Sequence, residues 1–232
     1  MTKLPATWPK QVPELTPDQK RIQDDWMHYF HEVLPQRHGG LERFSHEYPV
    51  RRAATGVTLE IGAGLGEHIR YEDLSNQRYY ALELREDMAD DIRERFPEVE
   101  TVVADCQRRL PWDDDFFDRA VAIHVLEHLP NLPAALDELV RVLKPGGRLD
   151  VVIPCEGGLG YTLGRKLTVQ RTFERRYNTS YDWHIKSDHV NTPAEILQEV
   201  GARFVISDRR YWPLRIPSVN LNLALGFMAG RM

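Results

Sequence analysis

From residue 57 onward, short runs of apolar and β-branched residues alternate with stretches whose apolar positions recur at helical spacing. This alternation is typical of parallel strands joined by crossover helices. It predicts strands at 57–61, 79–83, 100–104, 118–124 and 148–153, and helices near 66–71, 86–95, 133–143 and 193–200. Right-handed crossovers then give a doubly wound α/β sheet, whose ligand site lies at the carboxyl ends of the strands.

The two ends of the chain have different patterns. Pro5, Pro9, Pro13 and Pro17 predict an extended, loosely held arm, which is followed by apolar positions at helical spacing. We therefore expect one helix over 18–34 and a second, shorter one over 41–52, so that residues 1–52 form an arm and cap helices beside the ligand cleft. Near the other end, 204–206 predicts a strand and 219–228 a strand or a helix.

The regular alternation fails between the fifth strand and residue 191. Residues 156–160 are rich in glycine and are expected to be flexible. A long insertion at this point is well placed to act as a lid or substrate platform. We expect 53–232 to be one domain, with 155–191 as that insertion.

Composition limits the classes of function. A chain of 232 residues with 42% hydrophobic content is long enough for one α/β domain, and its net charge of −5 gives no general attraction to nucleic acid. Cys106 and Cys155 make no disulfide framework, which fits a reducing, cytoplasmic setting. Residues 1–20 lack a signal-peptide pattern, and the apolar run 216–230 is too interrupted to predict a membrane span. A monomer or a homodimer is expected.

Three glycines at alternate positions follow the first strand: Gly62, Gly64 and Gly66. Such glycines allow positive φ and let a ligand approach main-chain N–H groups. The dinucleotide fingerprint G-x-G-x-x-G would require glycine at position 67, where the chain has Glu67. The spacing therefore disfavours a dinucleotide pyrophosphate.

An acid ends each of the next two strands. Glu83 follows the first glycine by about twenty residues, the spacing at which a carboxylate meets ribose hydroxyls. Asp105 ends the third strand. A solvated strand-end acid and a turn or N-cap aspartate are the structural alternatives for these two side chains.

The stretch from Glu60 to Gly66 resembles motif I of the class I S-adenosylmethionine-dependent methyltransferases, E/D-x-G-x-G-x-G. The approach to strand four at 110–118 and the Lys-Pro-Gly-Gly turn at 144–147 resemble further motifs of that family, in the family's order and spacing. The resemblance covers roughly 57–153. It implies a mostly parallel, seven-stranded Rossmann-like sheet and S-adenosyl-L-methionine as cofactor, with S-adenosyl-L-homocysteine as product.

The resemblance also implies roles for residues of the site. Glu83 would accept hydrogen bonds from both ribose hydroxyls, Asp105 from the adenine amino group, and the next backbone N–H would contact an adenine ring nitrogen. The full set of cofactor-binding residues expected in this way is Glu60, Gly62, Ala63, Gly64, Gly66, Glu83, Leu84, Asp105, Cys106 and His124.

Four histidines are candidates for the base of a methyl transfer to a hydroxyl. His124 ends the fourth strand, where this architecture exposes reactive groups, and the others are His128, His184 and His189. A neutral imidazole is a suitable base at physiological pH. The sequence favours His124 first and His189 next, with packing or surface roles as the alternative for each.

A metal site is an alternative reading of the same segment, although we assign no metal ligand from the sequence. His124, Glu127 and His128 stand at i, i+3 and i+4 and would converge on a divalent ion if that turn is helical, with His184 or His189 as a fourth ligand. The arrangement resembles the E-x-x-E-H site of the small-RNA 2′-O-methyltransferases, with His124 in place of the first Glu.

The insertion is locally basic in an acidic protein, since it carries Arg165, Lys166, Arg171, Arg175, Arg176 and Lys186. Arginine forks match phosphate or carboxylate, so the expected acceptor is a small molecule that carries such a group. We expect methylation of a hydroxyl, or an amine, on a sugar, glycolipid or natural-product intermediate, without nucleic acid as partner. A metal-assisted O-methyltransferase, a protein or tRNA acceptor, and a noncatalytic cofactor-binding subunit remain as alternatives.

Overall fold

The computed structural model describes residues 7–32 and 39–232. Their strands form one seven-stranded sheet in the spatial order β3-β2-β1-β4-β5-β7-β6. The pairs among β1 to β5 are parallel, and β7 is antiparallel to both β5 and β6. The strands are β1 (Gly56–Ile61), β2 (Gln77–Glu83), β3 (Glu100–Val103), β4 (Phe117–Ile123), β5 (Leu143–Pro154), β6 (Phe204–Trp212) and β7 (Ala224–Arg231). The expected doubly wound, mostly parallel sheet is confirmed.

The α-helices of the described residues are α1 (Pro17–Glu32), α2 (Gly39–Glu47), α3 (Glu86–Arg95), α4 (Leu132–Val142), α5 (Leu159–Leu167), α6 (Val169–Tyr177), α7 (Asp182–Asp188) and α8 (Pro193–Gly201). Residues 33–34 of the expected first helix lie outside the described residues. The expected second helix is shorter than predicted, because a 3-10 turn at Pro49–Arg51 follows α2. The main apolar core includes Leu59 and Ile61 of β1 and the buried faces of α4 and α8.

The prediction of an α-helix at 66–71 is wrong. A single 3-10 turn at His68–Tyr71 is followed by another at Leu74–Asn76. The Asp73 side chain accepts hydrogen bonds from the backbone N–H and the hydroxyl of Ser75, at 3.1 and 2.6 Å. Such short polar side chains bind nearby backbone and favour turns over helix, so this connection never becomes an α-helix.

The insertion is helical rather than irregular, since α5, α6 and α7 occupy most of it. Its glycines serve close packing: a Cβ on Gly158 would lie 2.4 Å from the backbone oxygen of Val219, and one on Gly160 would lie 2.8 Å from that of Leu221. These glycines are therefore required because a side chain would not fit at their positions, and the flexibility expected from them is not their role in the fold. At the end of the chain, 219–228 contains a 3-10 turn at Val219–Leu221 and the start of β7.

The described part of the N-terminal arm is bound to the domain, contrary to the loose arm expected from its prolines. The backbone N–H of Lys10 donates to the oxygen of Pro130 at 2.8 Å. The Lys10 ammonium donates to the backbone oxygen of Val190 and contacts the Glu195 carboxylate, both at 2.8 Å. Pro5 lies outside the described residues.

One face of the sheet carries a buried ionic network centred on Arg119 of β4. Its guanidinium donates to Asp150 at 2.6 Å, to Glu72 at 2.7 Å and to the backbone oxygen of Pro49 at 3.1 Å. The Arg119 and Asp150 side chains are only 3% and 0% exposed. Arg119 therefore connects β5, the β1–β2 connection and the segment after α2. Among the described helices, none combines the length and apolar character required to cross a membrane.

We predict that Arg119→Met lowers the free energy of unfolding by about 3–5 kcal/mol, because it leaves the buried Glu72 carboxylate without its guanidinium partner and the buried Asp150 carboxylate with Arg148 alone. Urea denaturation followed by circular dichroism measures the change. Arg93→Met is the matched control, since Arg93 is 40% exposed and pairs with Glu86 and Asp90 at the surface. Its expected cost is within about 0.5 kcal/mol. Equal losses in the two variants would contradict a structural role for the buried network.

Candidate functional site

The sheet order reverses between β1 and β4: after β1 the chain continues to β2 on one side, and after β4 it continues to β5 on the other. Ligands of doubly wound folds bind in the crevice that such a reversal leaves at the carboxyl ends of the strands. Gly62, Glu83, Asp105 and His124 follow or end β1, β2, β3 and β4 respectively. The parallel strands thus bring these four predicted site residues to one edge of the sheet.

The turn after β1 requires its glycines. Gly62, Gly64 and Gly66 have φ values of 63°, 57° and 75°. A Cβ on Gly62 would lie 2.5 Å from a methyl carbon of Val125, and one on Gly66 would lie 2.8 Å from the Phe96 ring. We call residues 62–66 the glycine elbow. The backbone N–H groups of Gly62 and Ala63 donate to the oxygen of Leu82, at 2.8 and 3.2 Å, and fasten the elbow to the end of β2.

Glu83 lies directly against the elbow, and its carboxylate has a fixed orientation. One oxygen accepts from the backbone N–H of Gly64 at 2.9 Å, and the other accepts from those of Leu84 and Arg85 at 2.8 and 3.1 Å. The neighbouring Leu84 side chain is 66% exposed. This places an oriented pair of acceptor oxygens beside an exposed apolar surface.

Asp105 and Cys106 follow β3. One Asp105 oxygen accepts from both the backbone and the side-chain amide of Gln107, at 2.9 and 3.0 Å. The side-chain oxygen of Gln107 in turn accepts from the backbone N–H of Asn131 at 2.7 Å. Burial raises the pKa of the Cys106 thiol to about 12, so this side chain is neutral at physiological pH.

Glu60 lies one residue before the end of β1, and its side chain is only 3% exposed. It accepts a hydrogen bond from the Tyr79 hydroxyl at 2.9 Å. Burial raises the pKa of Glu60 to about 8, and the Tyr79 hydrogen bond opposes that shift. The carboxyl group therefore contacts the neighbouring strand, and its participation in cofactor binding stays a prediction.

His124 has the geometry of an oriented base. Its Nδ1 lies 3.4 Å from an oxygen of the buried Glu127 carboxylate, and its Nε2 is hydrogen-bonded to the Ser45 hydroxyl at 3.0 Å. A third of the side chain is exposed. The residue also has a φ of 53°, an uncommon conformation for a non-glycine residue that is concentrated at functional sites. The carboxylate favours a proton on Nδ1, which leaves Nε2 as the acceptor.

The other three histidines have different surroundings. His184 is 3% exposed and stacks on Phe173 with 5.3 Å between ring centroids, and burial lowers its pKa. His128 and His189 contact each other edge to face, with their centroids 4.8 Å apart. The Nδ1 of His189 is hydrogen-bonded to the Glu156 carboxylate. The structure therefore brings His124, His128 and His189 around Glu127 and buries His184 in the insertion.

Charge distinguishes His128 from His124. Burial favours the neutral imidazole of His128, but the nearby Asp188 and Glu127 carboxylates outweigh it and raise its pKa to about 10. Solvent screens part of this attraction, because a third of the ring is exposed. A protonated imidazole cannot accept a proton, so this shift disfavours His128 as a base.

The insertion packs against α1 through an aromatic cluster of Trp26, Phe173, Tyr181 and Ile185. Arg176 contributes to this contact by pairing with Asp25 at 3.0 Å. Arg165 differs from it, because its Nε and one terminal nitrogen are buried and find no hydrogen-bond acceptor among the described residues. Its guanidinium carbon lies 5.4 Å from the centre of the Tyr181 ring. Lys166, Arg171, Arg175 and Lys186 are exposed.

Sequence reasoning missed Ser45 and Glu156. Ser45 belongs to α2 and lies 79 residues before its partner His124. Glu156 precedes its partner His189 by 33 residues, inside a glycine-rich segment. Neither has a local pattern that indicates a contact, so only the tertiary fold reveals them.

Known proteins with sequences similar to this chain include methyltransferases. A family model described as a methyltransferase domain matches residues 59–151. The chain is 39% identical over 105 residues to a demethylmenaquinone methyltransferase of Clavibacter sepedonicus, a match that covers 45% of this chain and 38% of that protein. The chain spans less than half the length of the first curated relatives that it matches.

Solved structures share the fold at low sequence identity. A Pyrococcus horikoshii protein aligns with a TM-score of 0.64 and 16% identity over 88% of this chain and 99% of that one. A geranyl diphosphate C-methyltransferase of Streptomyces coelicolor, solved with Mg²⁺, geranyl diphosphate and S-adenosyl-L-homocysteine, aligns with a TM-score of 0.57 and 13% identity over 98% and 90% of the two chains.

Proposed function

We propose that this chain transfers a methyl group from S-adenosylmethionine to a small-molecule acceptor, as the match of residues 59–151 to a methyltransferase-domain model supports. The observation that carries this proposal is the convergence of the glycine elbow, Glu83 and His124 at one edge of the sheet. A cofactor site and a candidate base are thus neighbours.

The residues present fit the cofactor. The elbow brings its backbone directly against Glu83, whose carboxylate accepts from the N–H of Gly64 at 2.9 Å. The Glu83 carboxylate is oriented by three backbone N–H groups, and its remaining acceptor site would accept a hydrogen bond from a ribose hydroxyl. Asp105 and the backbone N–H of Cys106 would hold the adenine, and the exposed Leu84 side chain would pack on its ring. When bound, the cofactor supplies an electrophilic methyl group.

His124 has the role of removing a proton from the acceptor. Its Nε2 would take the proton of an acceptor hydroxyl, while Glu127 orients the ring through Nδ1 and stabilises the resulting imidazolium. The Ser45 hydroxyl is hydrogen-bonded to Nε2 of His124. An acceptor hydroxyl would take the place of this serine hydroxyl at Nε2. Loss of this proton raises the electron density on the acceptor oxygen. An amine acceptor would lose its proton to the same nitrogen.

Carbon methylation is a second candidate, favoured by the similarity, at 32% identity over 123 residues, to a ubiquinone/menaquinone biosynthesis C-methyltransferase of Bordetella parapertussis. Removal of a proton from a phenol or an enol also raises electron density on the adjacent carbon. His124 would therefore serve O- and C-methylation alike. Nuclear magnetic resonance of the purified product distinguishes the two, because it identifies the atom that carries the new methyl group.

Arg165 supports an acceptor with an anionic group. A buried guanidinium whose Nε and terminal nitrogen lack acceptors among the described residues leaves two donors free for a carboxylate or phosphate. The neighbouring Tyr181 ring limits its movement. Of the six basic side chains in the insertion, we therefore propose Arg165, whose Nε and one terminal nitrogen are buried, as the one that binds the anionic group.

We predict that Glu83→Ala weakens S-adenosylmethionine binding by about 10- to 100-fold, since a charged hydrogen-bond acceptor is lost. Isothermal titration calorimetry with the cofactor measures the change. Glu86→Ala is the matched control, because Glu86 is an exposed acid in the first turn of α3 and should leave the affinity unchanged. An unaltered affinity of the Glu83 variant would remove Glu83 from the ribose site.

We predict that His124→Asn slows methyl transfer by about 10²- to 10⁴-fold, the usual contribution of a general base, and leaves cofactor affinity within about twofold. The assay follows labelled methyl from the cofactor into the small-molecule fraction of a cell extract. His28→Asn, which changes a half-exposed histidine of α1, is the control. Full turnover by the His124 variant would exclude this residue as the base, and label found in protein or nucleic acid would exclude a small-molecule acceptor.

We predict that Arg165→Gln weakens inhibition of this transfer by inorganic pyrophosphate about tenfold, because the variant loses a charged hydrogen-bond donor. Cofactor affinity should not change. Arg175→Gln is the matched control, since Arg175 is exposed on the adjacent helix α6. Equal inhibition of the wild type and the Arg165 variant would contradict an anion site at this residue.

A further inference from the structure

The carboxylate of Glu127 lacks the hydrogen bonds that burial requires. Its side chain is 1% exposed, and neither oxygen receives a hydrogen bond from any residue that the structure describes. Buried polar groups in native proteins are almost always paired, because an unpaired one costs the free energy of its lost hydration. The nearest groups that could satisfy it are imidazole nitrogens at long range, Nδ1 of His124 at 3.4 Å and Nε2 of His128 at 3.9 Å, so a bound cation would give this buried carboxylate a close partner.

Besides His124, the imidazoles of His128 and His189 lie beside this carboxylate. The Nε2 of His128 lies 3.9 Å from the nearer Glu127 oxygen. One ligand atom each from Glu127, His128 and His189 can be chosen so that all three lie within 4.8 Å of one another. Donor atoms around one ion at the usual zinc–nitrogen distance of about 2.0–2.1 Å lie roughly 3.3 Å apart. The side chains would thus need to close by less than about 1.5 Å.

The second nitrogen of each imidazole is already engaged by an oxygen. The Nδ1 of His128 lies 3.0 Å from the backbone oxygen of Asp188, to which it can donate. The Nδ1 of His189 is hydrogen-bonded to the Glu156 carboxylate. Metal-binding histidines typically donate their other N–H to a carbonyl or carboxylate, which fixes the tautomer. In both rings this arrangement leaves Nε2 as the ligand atom, and an ion that binds His128 would displace the proton from its Nε2.

The backbone holds the two segments together. The N–H groups of Val190 and Asn191 both donate to the backbone oxygen of Glu127, at 2.8 and 3.0 Å. The Asn191 amide donates to the oxygens of Leu126 and Leu129, at 2.7 and 2.8 Å. The end of the insertion is thus fixed to the turn after β4, and the three side chains are brought together before any ligand binds.

We propose that Glu127, His128 and His189 bind one divalent transition-metal ion through a carboxylate oxygen and two imidazole nitrogens. Two histidines and one carboxylate suit Zn²⁺ or Mn²⁺ better than Ca²⁺ or Mg²⁺, which prefer oxygen ligands. The Asp188 and Glu156 carboxylates add negative charge around the ion. His124 is outside this ligand set, unlike in the arrangement considered from the sequence.

Such an ion would lie beside the candidate base, because Glu127 is also the neighbour of His124 at 3.4 Å. Three protein ligands leave coordination positions open for water or for an oxygen of the acceptor. The site itself does not depend on the proposed methyl transfer. Its test therefore measures metal binding in the absence of cofactor and acceptor, so that failure of one proposal does not affect the other.

The experiment uses the full chain, freed of metal with a chelator and then dialysed. Titration calorimetry with Zn²⁺, Mn²⁺ and Mg²⁺, together with elemental analysis after gel filtration, gives affinity and stoichiometry. We expect one Zn²⁺ or Mn²⁺ per chain and much weaker binding of Mg²⁺. Absence of saturable binding, or Mg²⁺ binding as tight as that of Zn²⁺ and Mn²⁺, would overturn the proposal.

Variants locate the ion. His189→Asn should weaken binding more than about a hundredfold, and Glu156→Gln about 10- to 100-fold, as is usual for a residue that orients a ligand. His124→Asn is the matched control from the same site and should retain one ion per chain. Circular dichroism identifies a misfolded variant, and the two affected positions provide independent tests. Wild-type affinity in the His189 variant, or loss of the ion in the His124 variant, would contradict the proposed ligand set.

Discussion

The carboxyl ends of β1 and β4 lie side by side, while the chain leaves them toward opposite edges of the sheet. No crossover can cover the space between two such connections, so a crevice forms there whatever the side chains are. The glycine elbow, Glu83 and Asp105 come from the β1 side, and His124 with its turn comes from the β4 side. The proposed cofactor-binding residues and the proposed base would therefore belong to different halves of the sheet, which meet at this crevice.

The Glu127 carboxylate connects the chemistry of the β4 half with its architecture. Its side chain approaches His124 and His128, and its backbone oxygen accepts two hydrogen bonds from the end of the insertion. A buried carboxylate is unfavourable unless cations or donors surround it. The same residue thus orients the candidate base, favours positive charge nearby and fixes the position of the insertion. Changes in the insertion will therefore alter the surroundings of His124 without touching it.

The sequence is informative where one local pattern determines both structure and role. The glycine elbow and the acids that end β2 and β3 belong to such patterns, and their common edge follows from parallel pairing. The helix expected near 66–71 is replaced by a 3-10 turn, and a second such turn follows it at Leu74–Asn76. The Arg119 network and the contacts of Ser45 and Glu156 depend on side chains that converge from distant segments. No periodicity encodes such convergence.

The contact of Lys10 with Val190 joins residues 180 positions apart in the chain. Contacts this distant form late, because a long loop must close before they contribute. The elbow and Glu83 need only the pairing of β1 with β2, whereas the arm, the turn after β4 and the end of the insertion must meet to complete the other half. The residues proposed to bind the cofactor thus belong to segments close together in the chain, whereas the proposed acceptor side is completed only by contacts with the last third of the chain.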